Sequence, residues 1–331
     1  MNLNYNRIIE LLEGQPEQYV SGEALSRELN ISRTAVWKQM KKLESQGYRI
    51  EASRRLGYRL MGKPSKLTLP ELLVKLEGTT LVRSIKLLDS VDSTQNIAQQ
   101  MAEEGAPEGT LVIADQQTNG RGRLGRSWVS PAGKGVWMSL VLRPGIPLQF
   151  APQLTLLTAV ALCRALKSVV PLEIGIKWPN DLLIGGKKIS GILLESTAED
   201  ERLRYVIAGV GVSVNLEPED YPKELLDVAT SLLIAGGEHI DRGAVVAAFI
   251  RQLEHLYAVY QREGFGPIRT LWEALSVTLH KPTKLYAPTE VFEGTPIGLD
   301  ERGALLVEKA DGSVVPVFSA EMRFPEANSG G

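Results

Sequence analysis

Asp181-Leu-Leu-Ile-Gly-Gly-Lys-Lys-Ile-Ser-Gly-Ile-Leu-Leu-Glu195 reads as two apolar strands joined at Gly185-Gly186. Paired glycines between strand-like runs suit the left-handed backbone of a tight hairpin, and a hairpin joins antiparallel neighbours. A doubly wound parallel sheet has no place for such a join, because parallel neighbours need a crossover. Further strand-like runs lie at 84–88, 110–114, 136–142, 174–178 and 203–215, alternating with helices near 94–104, 152–168 and 241–262. The spacing predicts an α+β multidomain chain whose central sheet is mixed and largely antiparallel.

Upstream lies Asn119-Gly-Arg-Gly-Arg-Leu-Gly-Arg126, three arginines on a backbone opened by three glycines. Glycine lets peptide N–H groups approach a ligand, and each guanidinium offers a planar fork matched to phosphate or carboxylate oxygens. Gly120, Gly122 and Gly125 also fit the dinucleotide fingerprint G-x-G-x-x-G. That fingerprint must open a helix, whereas Ser127-Trp-Val-Ser-Pro-Ala-Gly-Lys-Gly135 follows here, too rich in Pro and Gly to continue one. The stretch therefore reads as an anion-wrapping loop, with a plain surface connector as the alternative.

Toward the amino terminus the pattern is helical. Leu3 to Glu13 carries Ile8, Ile9, Leu11 and Leu12; Ser21 to Leu29 puts Ala24, Leu25 and Leu29 on one face; Ser32 caps a third helix with Ala35, Val36, Met40 and Leu43 as its buried stripe. The third helix offers Arg33, Thr34, Trp37, Lys38 and Lys41 outward, which is the helix-turn-helix pattern. Two strand-like pieces, at 48–52 and 57–60, are joined through Ser53-Arg-Arg-Leu56 and make a basic wing carrying Arg54 and Arg55. Residues 32–63 hold nine basic groups against Glu44 and Glu51, although the whole chain has net charge −2. This end is a candidate for operator DNA, with Ser32, Arg33, Thr34, Trp37, Lys38, Lys41, Arg54 and Arg55 as the contacting residues. The alternative is a helical cap with a solvated face. Lys63-Pro-Ser-Lys66 reads as a linker.

The 331 residues allow two or three domains, and 44% hydrophobic with 23% charged content is that of an ordinary globular chain. No signal peptide or membrane span is read, and a lone Cys163 suits a reducing cytoplasm. His239, His255 and His280 are scattered, so neither a zinc site nor a Ser-His-Asp triad is expected.

Three more motifs carry chemistry. Asp92-Ser-Thr-Gln95 gathers polar groups at a helix start capped by Ser93, where N–H groups favour a polar or anionic ligand; a simple cap explains it equally. Lys177-Trp-Pro-Asn-Asp181 sets a cation, an amide and a carboxylate around a rigid proline, fit for a nucleotide and Mg²⁺ or for an ordinary strand-linking turn. Lys187-Lys-Ile-Ser-Gly191 runs a lysine into an apolar strand. Pointing inward, Lys188 could neutralise charge developing at phosphorus; pointing outward, it merely meets solvent. From 271 to about 325, short runs broken by Glu293-Gly294, Asp300-Glu-Arg-Gly303 and Asp311-Gly312 suggest a small β-barrel.

Taken in chain order, Asp92–Gln95, Gln117–Arg126 with Trp128, Lys177–Asp181 and Lys188–Gly191 resemble the motifs of the biotin protein ligases. The basic winged helix narrows this to the bifunctional class that also represses the biotin operon. The resemblance implies a class II synthetase-like biotin ligase fold, with a winged-helix domain at 1–63, a biotin- and ATP-binding catalytic domain at 64–270 and an SH3-like barrel at 271–326. It implies Arg121, Arg123 and Lys188 as catalytic residues, and biotin held by Ser93, Thr94, Gln95, Gln117, Gly120, Arg121, Gly122, Arg123 and Lys188. Trp128, Lys177, Asn180 and Asp181 would serve ATP and Mg²⁺. A biotin carboxyl carrier protein, operator DNA and a second copy of the chain are the implied partners. Leu124, where some relatives carry arginine, and Asn119, where others carry a small residue, depart from the pattern. A lipoate-type ligase and a non-catalytic, ligand-responsive winged-helix repressor of redox or nicotinamide type are the rival readings.

Overall fold

Ser21 and Ser32 stand where helices begin: Ser21 Oγ accepts the Ala24 N–H at 3.0 Å and Ser32 Oγ the Ala35 N–H at 3.1 Å. The computed structural model describes residues 3–15, 18–45, 48–53, 55–62, 66–287 and 290–323. Arg54 and most of the expected linker at 63–66 lie outside them. The chain divides into two compact units, Met1–Gly78 and Thr79–Gly331.

The first unit holds α1 (Leu3–Glu13), α2 (Gly22–Glu28), α3 (Arg33–Ser45), an antiparallel pair β1 (Arg49–Ser53) and β2 (Gly57–Gly62), and α4 (Leu69–Lys75). Ile8, Leu12, Leu25, Val36, Met40 and Leu43 form its core. Ala24 is exposed, contrary to expectation, because α2 turns only Leu25 and Leu29 inward. Asn30 takes φ 50° in the turn before α3, a left-handed conformation that asparagine tolerates. Gly57 has φ 107°, and a Cβ there would meet Val20 O at 2.2 Å, so the wing crosses the α2 entry only as glycine. Helix α4, not read from the sequence, starts at a Thr68 cap and packs on α1.

In the second unit come β3 (Ser84–Val91), α5 (Thr94–Glu103), β4 (Thr110–Gln117), β5 (Val136–Leu142), α6 (Ala151–Val169), β6 (Gly175–Lys177), β7 (Asp181–Ile184), β8 (Lys187–Glu199) and β9 (Arg202–Val212). After them run α7 (Leu232–Gly236), α8 (Arg242–Glu263), α9 (Gly266–Leu275), then β10 (Thr283–Tyr286), β11 (Val291–Leu299), β12 (Leu305–Glu308), β13 (Val314–Val317) and β14 (Glu321–Arg323). Seven strands pair in the order β3-β4-β5-β9-β8-β7-β6, and β3–β4 alone is parallel. The mixed, largely antiparallel sheet is thus as the sequence implied. Gly185 and Gly186, at φ 54° and 82°, make the β7–β8 turn that decided it.

Every residue of β5 is buried, which requires cover on both faces. Ala98 and Ala102 of α5 pack on Val112, Val141, Tyr205 and Ile207. Helices α6, α8 and α9 pack on one another, and each also reaches the sheet. Residue 270 lies inside α9, whose Ile268 and Trp272 are buried, so the helix continues past the position expected to divide two domains. The final five strands pair antiparallel in the order β13-β12-β11-β10-β14. Among the described residues no helix is long and apolar enough to cross a membrane.

Candidate active site

The polar groups of α5 face inward because Ser93 caps the helix and leaves Thr94 and Gln95 over the sheet, both buried. Thr94 N–H donates to Gln117 Oε1 at 2.9 Å, and the Thr94 hydroxyl lies 2.9 Å from Ser139 Oγ. Ser139 donates to Gln95 Oε1 at 2.9 Å, while Gln95 Nε2 donates to Ile207 O at 3.1 Å and Gln117 Nε2 to Ser130 Oγ at 3.0 Å. The Thr94 and Gln95 N–H groups, expected to await an anion, are already engaged by Gln117 Oε1 and Ser93 Oγ, and this end of the cavity is a neutral amide and hydroxyl network.

Glycines flatten the wall beside it. A Cβ on Gly209 would meet Gln95 Oε1 at 2.4 Å, and one on Gly211 would meet Trp128 Nε1 at 2.5 Å. A strand glycine marks close approach of something else, and here that is the amide and the indole.

The arginine loop folds back on itself. Gly122 N–H donates to Arg126 O at 2.7 Å and Trp128 N–H to Gly120 O at 2.8 Å, with Leu124 and Gly125 at φ 58° and 72° making the turn. No helix follows Gly125, which removes the dinucleotide reading. Arg121 Nη2 pairs with Glu195 Oε2 at 2.9 Å. Arg123 donates to Asn180 Oδ1 at 3.2 Å and Ser319 Oγ at 2.9 Å, and its burial draws its pKa below the usual arginine value. Arg126 pairs with Glu321.

Strands β6 and β7 and their turn bring the other charges. The Trp178–Pro179 peptide is cis, and Trp178 N–H donates to Thr278 Oγ1 at 3.0 Å. Asn180 Nδ2 donates to Ile192 O at 2.8 Å, which fixes its carbonyl toward Arg123. Lys188 Nζ lies 2.8 Å from Asp181 Oδ1 and 5.2 Å from the centre of the Trp128 ring. Burial lowers the Lys177 pKa from the ordinary lysine range.

One cavity of about 430 Å³ is lined by Ser93, Thr94, Gln95, Gln117, Arg121, Gly122, Arg123, Trp128, Lys177, Asn180, Asp181 and Lys188. Gly120 does not line it; a Cβ there would meet Trp128 O at 2.6 Å and Ser130 Oγ at 2.8 Å, so its role is to let the loop lie against that backbone. Three donors of wall residues, Arg121 Nε, Trp128 Nε1 and Trp178 Nε1, are buried without a hydrogen-bond partner in the protein. Such groups are costly unless something else satisfies them.

Sequence reasoning missed Ser139, Gly209, Gly211, Tyr221, Leu225 and the 320–322 segment, all on the wall. Ser139 alone among apolar residues of β5 and two glycines within β9 were usable signals. The carboxy-terminal segment carried none.

In the first unit Arg33, Thr34, Trp37, Lys38, Lys41 and Arg55 are exposed as expected. Ser32 is exposed but occupied as a cap, and Lys41 pairs with Glu44 at 2.6 Å.

The Biotin/lipoate A/B protein ligase family matches over residues 87–213, an HTH domain over 5–59, and the Biotin protein ligase C terminal domain over 278–324. The bifunctional ligase/repressor BirA of Bacillus subtilis is 45% identical over 95% of this chain and 97% of its own. That of Escherichia coli is 29% identical over 94% of each. A solved biotin protein ligase from Aquifex aeolicus, in complex with biotin and ATP, superposes with TM-score 0.64 at 30% identity, covering 73% of this chain and all of that one.

Proposed function

The chain belongs to the biotin protein ligases, and on that footing we propose a two-step ligase that also represses biotin genes. Biotin and ATP form biotinyl-5′-adenylate with loss of pyrophosphate. The biotinyl group then passes to one lysine of a biotin carboxyl carrier protein, with AMP leaving.

The observation that carries this reading is the meeting, in one cavity, of five cationic side chains, Arg121, Arg123, Arg126, Lys177 and Lys188, with an uncharged polar end. A cyclic urea has two N–H donors and one carbonyl and no charge, which matches the hydroxyls and amides of Ser93, Thr94, Gln95 and Gln117. The carboxylate at the other end of biotin must approach an α-phosphate that is itself anionic. Arg121, Arg123 and Lys188 offset that repulsion and stabilise the charge gathering on phosphorus. Trp128 and Lys177 take the nucleotide, Lys177 as a buried cation beside the phosphates and Trp128 through an indole N–H that has no acceptor in the protein. With AMP as leaving group the acyl carbon is already activated, so holding the acceptor amine beside it suffices and no histidine is needed.

Asp181, with Asn180 beside it, supplies the single carboxylate that Mg²⁺ commonly takes when nucleotide phosphates complete its shell. Bound there, the ion would neutralise the leaving pyrophosphate. Among the described residues no group of three or more His, Cys, Asp or Glu could hold a metal on protein ligands alone.

The exposed residues of α3 and the wing would engage operator DNA, the adenylate-bound chain pairing through its central sheets so that two winged helices meet two half-sites. The setting is the cytoplasm, where Cys163, buried with its pKa pushed up to about 12, stays an inert thiol.

The test offers biotin and lipoate separately to the purified protein with radiolabelled ATP. Pyrophosphate release with biotin alone is expected. Turnover with lipoate instead makes it a lipoate-type ligase; no turnover with either leaves a ligand-responsive repressor. Sedimentation with and without biotinyl-adenylate tests the pairing, and an unchanged monomer at DNA-binding concentrations counts against it.

A further inference from the structure

Five tryptophans occur in the chain. Trp137, Trp178 and Trp272 are buried, and Trp128 is half-buried in the cavity wall. Trp37 is 51% exposed on α3. An indole left half in water forgoes the burial of one of the largest apolar side-chain surfaces, and Trp37 is the most exposed of the five.

Its surroundings say what partner it suits. Arg33 and Lys41 lie one turn before and after it on the same side of α3, with Lys38 beside it, while Val36, Met40 and Leu43 face the core. The one acidic side chain of the helix, Glu44, is already paired with Lys41. An apolar ring set among cations repels a basic or purely apolar partner and suits a polyanion that displays apolar groups between its charges. Duplex DNA does so in its major groove, where the one apolar group on the base edges is the 5-methyl of thymine. Flanking cations on phosphates would fix the register of the helix but carry no sequence information.

We infer that Trp37 is a specificity-determining residue of the helix-turn-helix, packing its ring on a thymine methyl in each operator half-site. The inference rests on the repressor reading above and sharpens it. Thr34, exposed one turn away and carrying a methyl of its own, is the residue best placed to extend the same contact to a neighbouring base.

Selection supplies the operator for the test. Full-length protein with biotin and ATP selects duplexes from a random pool, and each thymine of the recovered sequence is then replaced by uracil, which removes the methyl and nothing else. A fixed thymine in each half-site is expected, with uracil there weakening binding about fourfold per half-site, the factor carried by burial of one methyl group. Trp37→Ala should bind thymine and uracil duplexes equally, while Trp37→Phe keeps part of the difference. If uracil is tolerated at every position, or if Trp37→Ala retains the full uracil penalty, the inference is wrong. If no sequence is enriched at all, the repressor reading fails and takes the inference with it; enrichment without a methyl effect overturns the inference alone.

Discussion

Lys188 Nζ stands 2.8 Å from Asp181 Oδ1 across the β7–β8 hairpin and 5.2 Å from the Trp128 ring centre, so its ammonium is fixed before any substrate arrives. A cation already aimed costs no reorganisation when charge develops beside it. Lys188→Ala is therefore expected to slow adenylate formation about 10²- to 10³-fold, the usual loss when one oxyanion donor is removed. Single-turnover pyrophosphate release measures it, with biotin affinity much less affected. Adenylation at full speed would remove Lys188 from the chemistry.

Most of this arrangement is legible in residues taken in chain order, because glycine and proline punctuate it. Gly185-Gly186 marks the hairpin, and with it the antiparallel sheet; Ser93 marks the cap that turns Thr94 and Gln95 inward. What is not legible is long-range. That Arg123 reaches Ser319, and Arg126 reaches Glu321, depends on how the last strands fold back on the central sheet, and no local pattern at 318–322 announces a ligand. Gly120 proves to serve the loop and not the cavity for a related reason: glycine spacing signals close approach without saying whether a substrate or the chain itself approaches. Helix α4 is hidden by its brevity, seven residues after a prolyl linker.

Gly209 and Gly211 separate the two halves of the cavity, and alanine at each should strike a different substrate. With Gly209→Ala the new Cβ falls 2.4 Å from Gln95 Oε1, displacing an amide that donates to both Leu193 O and Ile207 O. The biotin KM should rise roughly tenfold, as expected from two disturbed hydrogen bonds, with the ATP KM little changed. Gly211→Ala places its Cβ 2.5 Å from Trp128 Nε1 and should do the reverse. Initial rates with each substrate varied in turn would decide, and equal effects on both substrates from either variant would refute the assignment of ends.

Lys177 gives the reaction an alkaline limit. Desolvation by burial favours its neutral form, so the ammonium is lost at a lower pH than an exposed lysine would lose it. The cation is present below that lowered pKa and disappears as pH rises through it, so the KM for ATP should climb on the alkaline side earlier than the usual lysine value of 10.5. Lys177→Arg keeps its charge throughout and should flatten that limb, because the guanidinium does not titrate in this range. A pH profile of KM for ATP, wild type beside Lys177→Arg, is the measurement; identical alkaline limbs would assign the loss to another group.

Arg242, the first residue of α8, is buried together with Asp115 of β4, Nη2 to Oδ1 at 2.8 Å, and its Nη1 donates to Gly135 O at 3.1 Å. Asp115 lies two residues before Gln117 on the same strand, so the pair anchors the base of the strand that feeds the arginine loop. Removing one member of such a pair strands the other charge away from water at a cost of about 3–5 kcal/mol. Arg242→Met should accordingly lower the melting temperature of the second unit by roughly 6–20 °C. Arg242→Met combined with Asp115→Leu, which leaves no charge behind, should recover much of that loss. Scanning calorimetry of the single and double variants tests the point. If the double variant melts lower than Arg242→Met alone, the pair does not act through its buried charge, and the contact to Gly135 O must carry the stability instead.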